Sequence, residues 1–246
     1  MNDQDRRDLV AALLARPPSE DAWQQLWDVF VGWPDGPARD AALQDAVTGL
    51  ATWDDDLRRM TSQATPLYRD NRVAPMGRLV RSIEFYRRES GTGDLVRIAD
   101  SPHAEGLRRL TLIRCDIGAQ GIIALARSRY LNELTHLRLA GTYLTRATAP
   151  ELLCPVGLPS LRSLDLIDCG ITDVDLAVLS RSPLAARLTH LSLADNLLGD
   201  EAARILAQLA SLAHLDTLDL SKNGLGDASR QALQHAPHLA RTRLVW

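Results

Sequence analysis

At 246 residues and 46% hydrophobic content, the chain can bury a substantial core, as one elongated domain or two compact ones, and disorder is excluded as its main state. Its 28 basic and 31 acidic residues leave a formal charge of -3, which argues against a protein built around bulk nucleic-acid binding while leaving local patches open. Lys222 is the only lysine, and an arginine skew spread over a whole chain reads as genome composition rather than as a site.

The opening residues MNDQDRRDLVAALLARPPSED hold an apolar run of only about six, flanked by acids and prolines, which fits neither a signal peptide nor a membrane span. A cytoplasmic location is the expectation. The three cysteines, at spacings unlike a zinc pattern, agree with a reducing compartment and no disulfide framework. RDLVAALLARP and DAWQQLWDVFVGW have helical spacing, and the second places Trp23, Leu26, Trp27 and Phe30 on one face. Residues 1–76, which also hold Trp33 and Trp53, are therefore expected to form a small helical unit with the tryptophans as its core.

Beyond it the chain repeats. It reads LRRLTLIRCDIG from Leu107, LTHLRLAGTYLT from Leu134, LRSLDLIDCGIT from Leu161, LTHLSLADNLLG from Leu188 and LDTLDLSKNGLG from Leu215, each start 27 residues after the last. VRSIEFYRRESG from Val80 is a degenerate sixth copy, and LARTRL from Leu239 reopens the pattern three residues early. Apolar residues at the fourth and sixth positions, such as Leu137 and Leu139, have the period of a strand and face inward. Gly91, Gly118, Thr145, Thr172, Gly199 and Gly226 mark a turn at the twelfth position, followed by Asp173, Asp200 and Asp227 in three copies, which suits a helix N-cap. An apolar residue recurs at position nineteen in short helical patterns such as DEAARILAQLAS. One strand and one helix per repeat make a solenoid, because no repeat buries its apolar face alone. In the Leu134 copy, Pro150 and Pro155 remove helical donors, so a broken helix or loop is expected there.

These residues resemble the leucine-rich repeat family, with its LxxLxL strand followed by asparagine or cysteine at position nine. Asn196 and Asn223, each followed by LGD, look most like the ribonuclease-inhibitor class, and tails such as ALARSRYLNEL look like the repeats of bacterial proteins that carry a short helical companion domain. The resemblance implies an α/β horseshoe with parallel strands on the concave face, short helices outside, an N-terminal helical cap over 1–76, and about six 27-residue repeats plus a truncated one over 77–246. The cap's LVAALLARPPSEDAWQQLWDVFVGW keeps the companion domain's order of elements but replaces its usual tyrosine-alanine-aspartate-tryptophan-leucine stretch with LWDVFVG.

The chain lacks G-x-S-x-G, H-E-x-x-H, a phosphate loop and paired C-x-x-C, so no catalytic activity, cofactor or metal is expected. Cys115 and Cys169 share position nine two strand spacings apart, about 9.6 Å, too far for a disulfide, and are expected to fill the buried turn. On the inner face, Arg81, Arg87, Arg108, Arg109, Arg114 and Arg138 in the first three repeats give way to Asp165, Asp168, Asp195, Asp216 and Asp219. A basic half and an acidic half would orient a docking protein. Tyr86, Arg109, Arg114 and Arg138 at one end and Asp165, Asp168 and Asp195 at the other are the candidate contact residues. The expected function is a non-enzymatic protein-interaction module, as inhibitor or adaptor. The alternative is a polyanion or nucleic acid on the Arg-rich half, and self-association through the C-terminal end is a further expectation.

Overall fold

The computed structural model describes residues 1–60, 74–87 and 91–246. Positions nine to eleven of the Val80 repeat and part of the N-terminal unit, residues 61–73, lie outside them.

The N-terminal unit contains α1 (Asp3–Leu14), α2 (Glu20–Val31) and α3 (Pro37–Gly49). Each start follows from local chemistry. Asn2 Oδ1 accepts from the Asp5 amide at 2.8 Å while Asp5 accepts from the Asn2 amide, closing a capping box. Ser19 Oγ accepts from the Ala22 amide, and Pro37 opens α3 where its missing N–H costs nothing. The expected face of α2 is buried: Trp23, Leu26, Trp27 and Phe30 are at most 6% exposed, as are Trp33 and Trp53. Trp33 also donates from Nε1 to Asp3 at 3.0 Å, satisfying the one polar atom that burial would strand. The tryptophans are thus core of the unit.

Among the described residues, eight parallel strands form one open sheet in chain order: β1 (Arg59–Met60), β2 (Ser82–Tyr86), β3 (Arg109–Ile113), β4 (His136–Ala140), β5 (Ser163–Ile167), β6 (His190–Ser192), β7 (Thr217–Asp219) and β8 (Arg243–Val245). From β2 to β7 the register repeats the sequence period, with Ile83, Leu110, Leu137, Leu164, Leu191 and Leu218 side by side. All six are at most 1% exposed. Replacing one with alanine therefore costs about 3 kcal/mol. The sheet also begins earlier than the repeats do, because Arg59 and Met60 pair with Ser82 and Ile83. Beside that strand, Arg58 is buried and donates to the carbonyls of Leu79 (2.8 Å) and Leu50 (3.0 Å), tying the helical unit to the first repeat. The hydrophobic core runs without a break from Val10 to Leu239.

The terminal strand corrects the expected register. Leu244 pairs with Leu218, so the last copy opens one residue early rather than three. Leu239 is not its first residue: it lies 27 after Leu212, and both are buried in the short 3-10 turns that close their repeats.

Outside the sheet run α4 (Thr92–Ala99), α5 (Ala119–Ala126), α6 (Ala149–Leu153), α7 (Asp173–Leu176), α8 (Asp200–Gln208) and α9 (Asp227–Gln234). The position-nineteen residues Ile98, Leu125, Leu152, Leu179, Leu206 and Leu233 are buried between them and the sheet. In the Leu134 repeat Pro150 does not break a helix; it sits in the first turn of the five-residue α6, where no donor is needed, and Pro155 follows the end. Turn residues tie neighbours together. Thr92, Asp173 and Asp200 at the first helical position accept from the amides of Gly118, Gly199 and Gly226, each the N-cap of the next helix, at 2.7 to 2.8 Å. Of the three aspartates anticipated as caps, Asp173 and Asp200 thus cap the neighbouring repeat, and all three favour their own helix from its first turn.

Candidate functional site

Position nine builds the scaffold beneath the open face. Asn196 Oδ1 accepts from the amides of Cys169 and Ile171, both at 3.0 Å, and its Nδ2 donates to the carbonyls of Leu166, Leu193 and Ala194. Asn223 repeats the pattern one turn later on Asn196, Leu198, Leu193, Leu220 and Ser221. Cys115 and Cys169 occupy the same buried place, and the Cys169 thiol donates to the carbonyls of Leu139 and Ile167. Burial pushes that thiol up to about 12, so it stays protonated and inert at neutral pH. All three cysteines are free, and Cys154, at the end of α6, is the more accessible. Thr142 holds position nine in the Leu134 repeat; its Oγ1 is buried with no hydrogen-bond partner among the described residues.

Position eight is a left-handed turn in every repeat from Val80 on. Arg87, Arg114, Asp168, Asp195 and Lys222 have φ between +51° and +56°, and Gly141 has +64°. Asp and Gly adopt this conformation more readily than Arg or Lys. Asp168 and Asp195 are therefore favoured by the scaffold itself, as well as being candidate contact residues. Arg87, Arg114 and Lys222 hold the same turn at some strain, on the order of 1 kcal/mol each.

The seven candidate contact residues separate into two groups. Arg109, Arg138 and Asp165 lie at mid-strand around one shallow hollow with His136, Ser163 and Asp56. Their charges are mutually engaged. Arg109 Nε lies 3.7 Å from Asp56 of the N-terminal unit, and Asp165 faces both Arg138 (4.0 Å) and His190 Nε2 (2.9 Å). Nearby, Arg108 meets Asp55 and Glu133, and Arg59 meets Glu84. The expected basic half is thus largely offset by carboxylates. Asp165 raises the pKa of His190, against the opposing effect of burial, whereas burial and then Arg109 lower that of His136 two strands away. Identical positions in the repeat carry histidines of opposite tendency.

Tyr86, Arg114, Asp168 and Asp195 form the second group, along a groove at the C-terminal ends of the strands, with Ile113, Ala140 and Ile167 as its floor. Tyr86 donates its hydroxyl to Glu84 at 2.9 Å, which raises its pKa. Lys222 approaches Asp195 at 3.5 Å. Among the described residues, neither Arg114 nor Asp168 has an ion-pair partner, and both are exposed. Tyr143 and Leu197, 76% and 67% exposed, rim the same edge beside Gly141 and Gly170. Neither Tyr143 nor Leu197 is among the seven candidate contact residues. Tyr143 had a signal, as a bulky aromatic residue at position ten, where the later repeats have Gly170, Leu197 and Gly224.

One strand and one outer helical segment per 27-residue turn, stitched by an asparagine ladder, define the class as a leucine-rich repeat solenoid. The leucine-rich repeat family model matches residues 157–180 and 211–233, so the chain contains leucine-rich repeats in those turns. Similar solved structures include a Bacteroides fragilis protein, 13% identical with a TM-score of 0.40 over 86% of this chain and 84% of that one. Another is an internalin from Listeria monocytogenes, 19% identical with a TM-score of 0.42 over 70% of this chain and 50% of that one. No curated protein matches the sequence. Among the described residues, no helix is long and apolar enough to cross a membrane.

Proposed function

We propose that this chain is a non-enzymatic interaction module that holds a partner protein against the open face of its sheet, as an inhibitor or adaptor, working in the cytoplasm. Residues 1–76 serve as the cap of that module and 77–246 as its binding solenoid, with the ribonuclease-inhibitor class as the nearest repeat type. The observation that carries the reading is the groove at the strand ends. Its charged side chains Arg114 and Asp168 are exposed and unpaired among the described residues, while apolar Tyr143 and Leu197 stand at its rim. Arginine and aromatic residues around an apolar floor are the ordinary make-up of an interface hot spot. The polyanion alternative requires a run of free arginines, whereas Arg108, Arg109 and Arg138 each face a carboxylate.

The test begins with affinity purification from the native cell and mass spectrometry to identify the partner. Reversing Arg109, Arg114 and Arg138 to glutamate is expected to remove it. Unchanged capture by the folded variant moves the interface to another surface.

A further inference from the structure

The row of position-eight side chains has one gap. Arg87, Arg114, Asp168, Asp195 and Lys222 each project a long or charged group from the left-handed turn, and Gly141 projects none. Beneath the gap, position seven is also small: Ala140 lies between Ile113 and Ile167 in paired register. The two neighbours lean over the vacancy. A Cβ on Gly141 would lie 2.9 Å from Arg114 Cγ and 3.7 Å from Asp168 Oδ2. The result is a notch with an apolar floor, a guanidinium on one side and a carboxylate on the other. Tyr143 stands at its rim, its ring so close over Gly170 that a Cβ there would fall 2.6 Å from it.

Resting on the interaction reading above, we infer that this notch docks an extended protein segment of the pattern acidic–x–apolar–x–basic, lying across the strands with its acidic residue toward Arg114. The spacing follows from geometry. Alternate side chains of an extended segment face the same way, and four residues span about 13.6 Å. From Arg114 it is two strand spacings to Asp168 and three to Asp195, or about 9.6 and 14.4 Å. An acidic residue on Arg114 therefore places the second residue after it, about 6.8 Å on, over the notch between Gly141 at about 4.8 Å and Asp168 at about 9.6 Å, and the fourth within reach of Asp168 and Asp195. Arginine takes the carboxylate as a forked pair, and Arg87 extends the same end. A segment of reversed polarity would set carboxylate against carboxylate, so the notch selects direction as well as composition.

The probe is a phage-displayed library of random linear 12-residue peptides, panned on the full-length protein. Enriched peptides are expected to carry an acidic residue four positions before a basic one with an apolar residue midway. Gly141→Asn fills the gap with a residue that tolerates the left-handed turn, pushes aside the Arg114 side chain that a Cβ would meet at 2.9 Å, and should weaken the selected peptides at least 10-fold while the protein keeps a single cooperative thermal unfolding transition. Exchanging the charges, with Arg114→Asp and Asp168→Arg together, should enrich peptides of the opposite polarity from the same library. If the charge exchange leaves the preferred order unchanged, if Gly141→Asn binds the selected peptides as well as the parent does, or if no peptide enriches over the filled variant, the inference is wrong. A native partner lost on the triple arginine reversal but indifferent to Gly141→Asn would leave the interaction reading standing and overturn only the notch.

Discussion

The Leu188 and Leu134 repeats share one length and one strand register, yet they spend their turn residues differently. In the Leu188 repeat, Asp195 and Asn196 occupy positions eight and nine, and the asparagine satisfies five backbone groups of two successive turns. In the Leu134 repeat, Gly141 and Thr142 stand there; the threonine hydroxyl is buried and unpartnered among the described residues, the outer helix shrinks to five residues, and Tyr143 turns outward. A repeat that keeps every template residue is scaffold. One that gives up ladder bonds while keeping its strand is where the proposed docking has room to act.

The largest effect expected from breaking this contrast is at Asn196. Asn196→Ala removes two acceptor bonds and three donor bonds inside the core and should cost about 3 kcal/mol in urea unfolding, because the amides of Cys169 and Ile171 are left without partners. A loss under about 1 kcal/mol would mean that the ladder is dispensable. Its converse sharpens the contrast. Thr142→Asn supplies position nine of the Leu134 repeat with the ladder side chain and removes the stranded hydroxyl, so a gain of about 1 kcal/mol is expected in the same measurement. A loss would mean that the turn around Gly141 cannot admit the amide.

Smaller effects separate the mid-strand hollow from the groove. Followed by NMR titration, His190 should change charge above the ordinary 6.5 and His136 below it. The sign for stability follows from the direction of each shift. The raised His190 contributes stability that is complete below its unfolded pKa and is lost as pH rises through its folded pKa; the lowered His136 is penalised as pH falls below 6.5. Asp165→Asn should bring the His190 midpoint down while leaving peptide binding at the groove untouched. Coincident midpoints for the two histidines would contradict the engaged state of Asp165.

The strands, the leucine core and the turn positions were legible because they recur. Leu110 through Leu218 announce the buried face by period alone, and Cys169 finds its role once it is laid over Asn196. What recurs in shape without recurring in chemistry was hidden. Position eight is left-handed in all six repeats although its occupants are Arg, Gly, Asp and Lys, so its side chains read as a charge gradient rather than as a turn. Gly and Asp in that column were the available signal. Contacts between repeat and non-repeat segments were also out of reach: Asp55 and Asp56 meet Arg108 and Arg109 across about fifty residues, and no period links them. The basic half was therefore counted as free charge when carboxylates already face it.

The central claim, that the irregular Leu134 repeat carries the docking site, is tested most directly by site-specific photo-crosslinking in the native cell. A photoreactive residue replaces Tyr143 in one strain and Val156, exposed on the outer segment of the same repeat, in another. The account predicts a discrete adduct from Tyr143 that disappears with Gly141→Asn, and none from Val156. An adduct from Val156 alone would place the partner on the opposite side of the solenoid and contradict it.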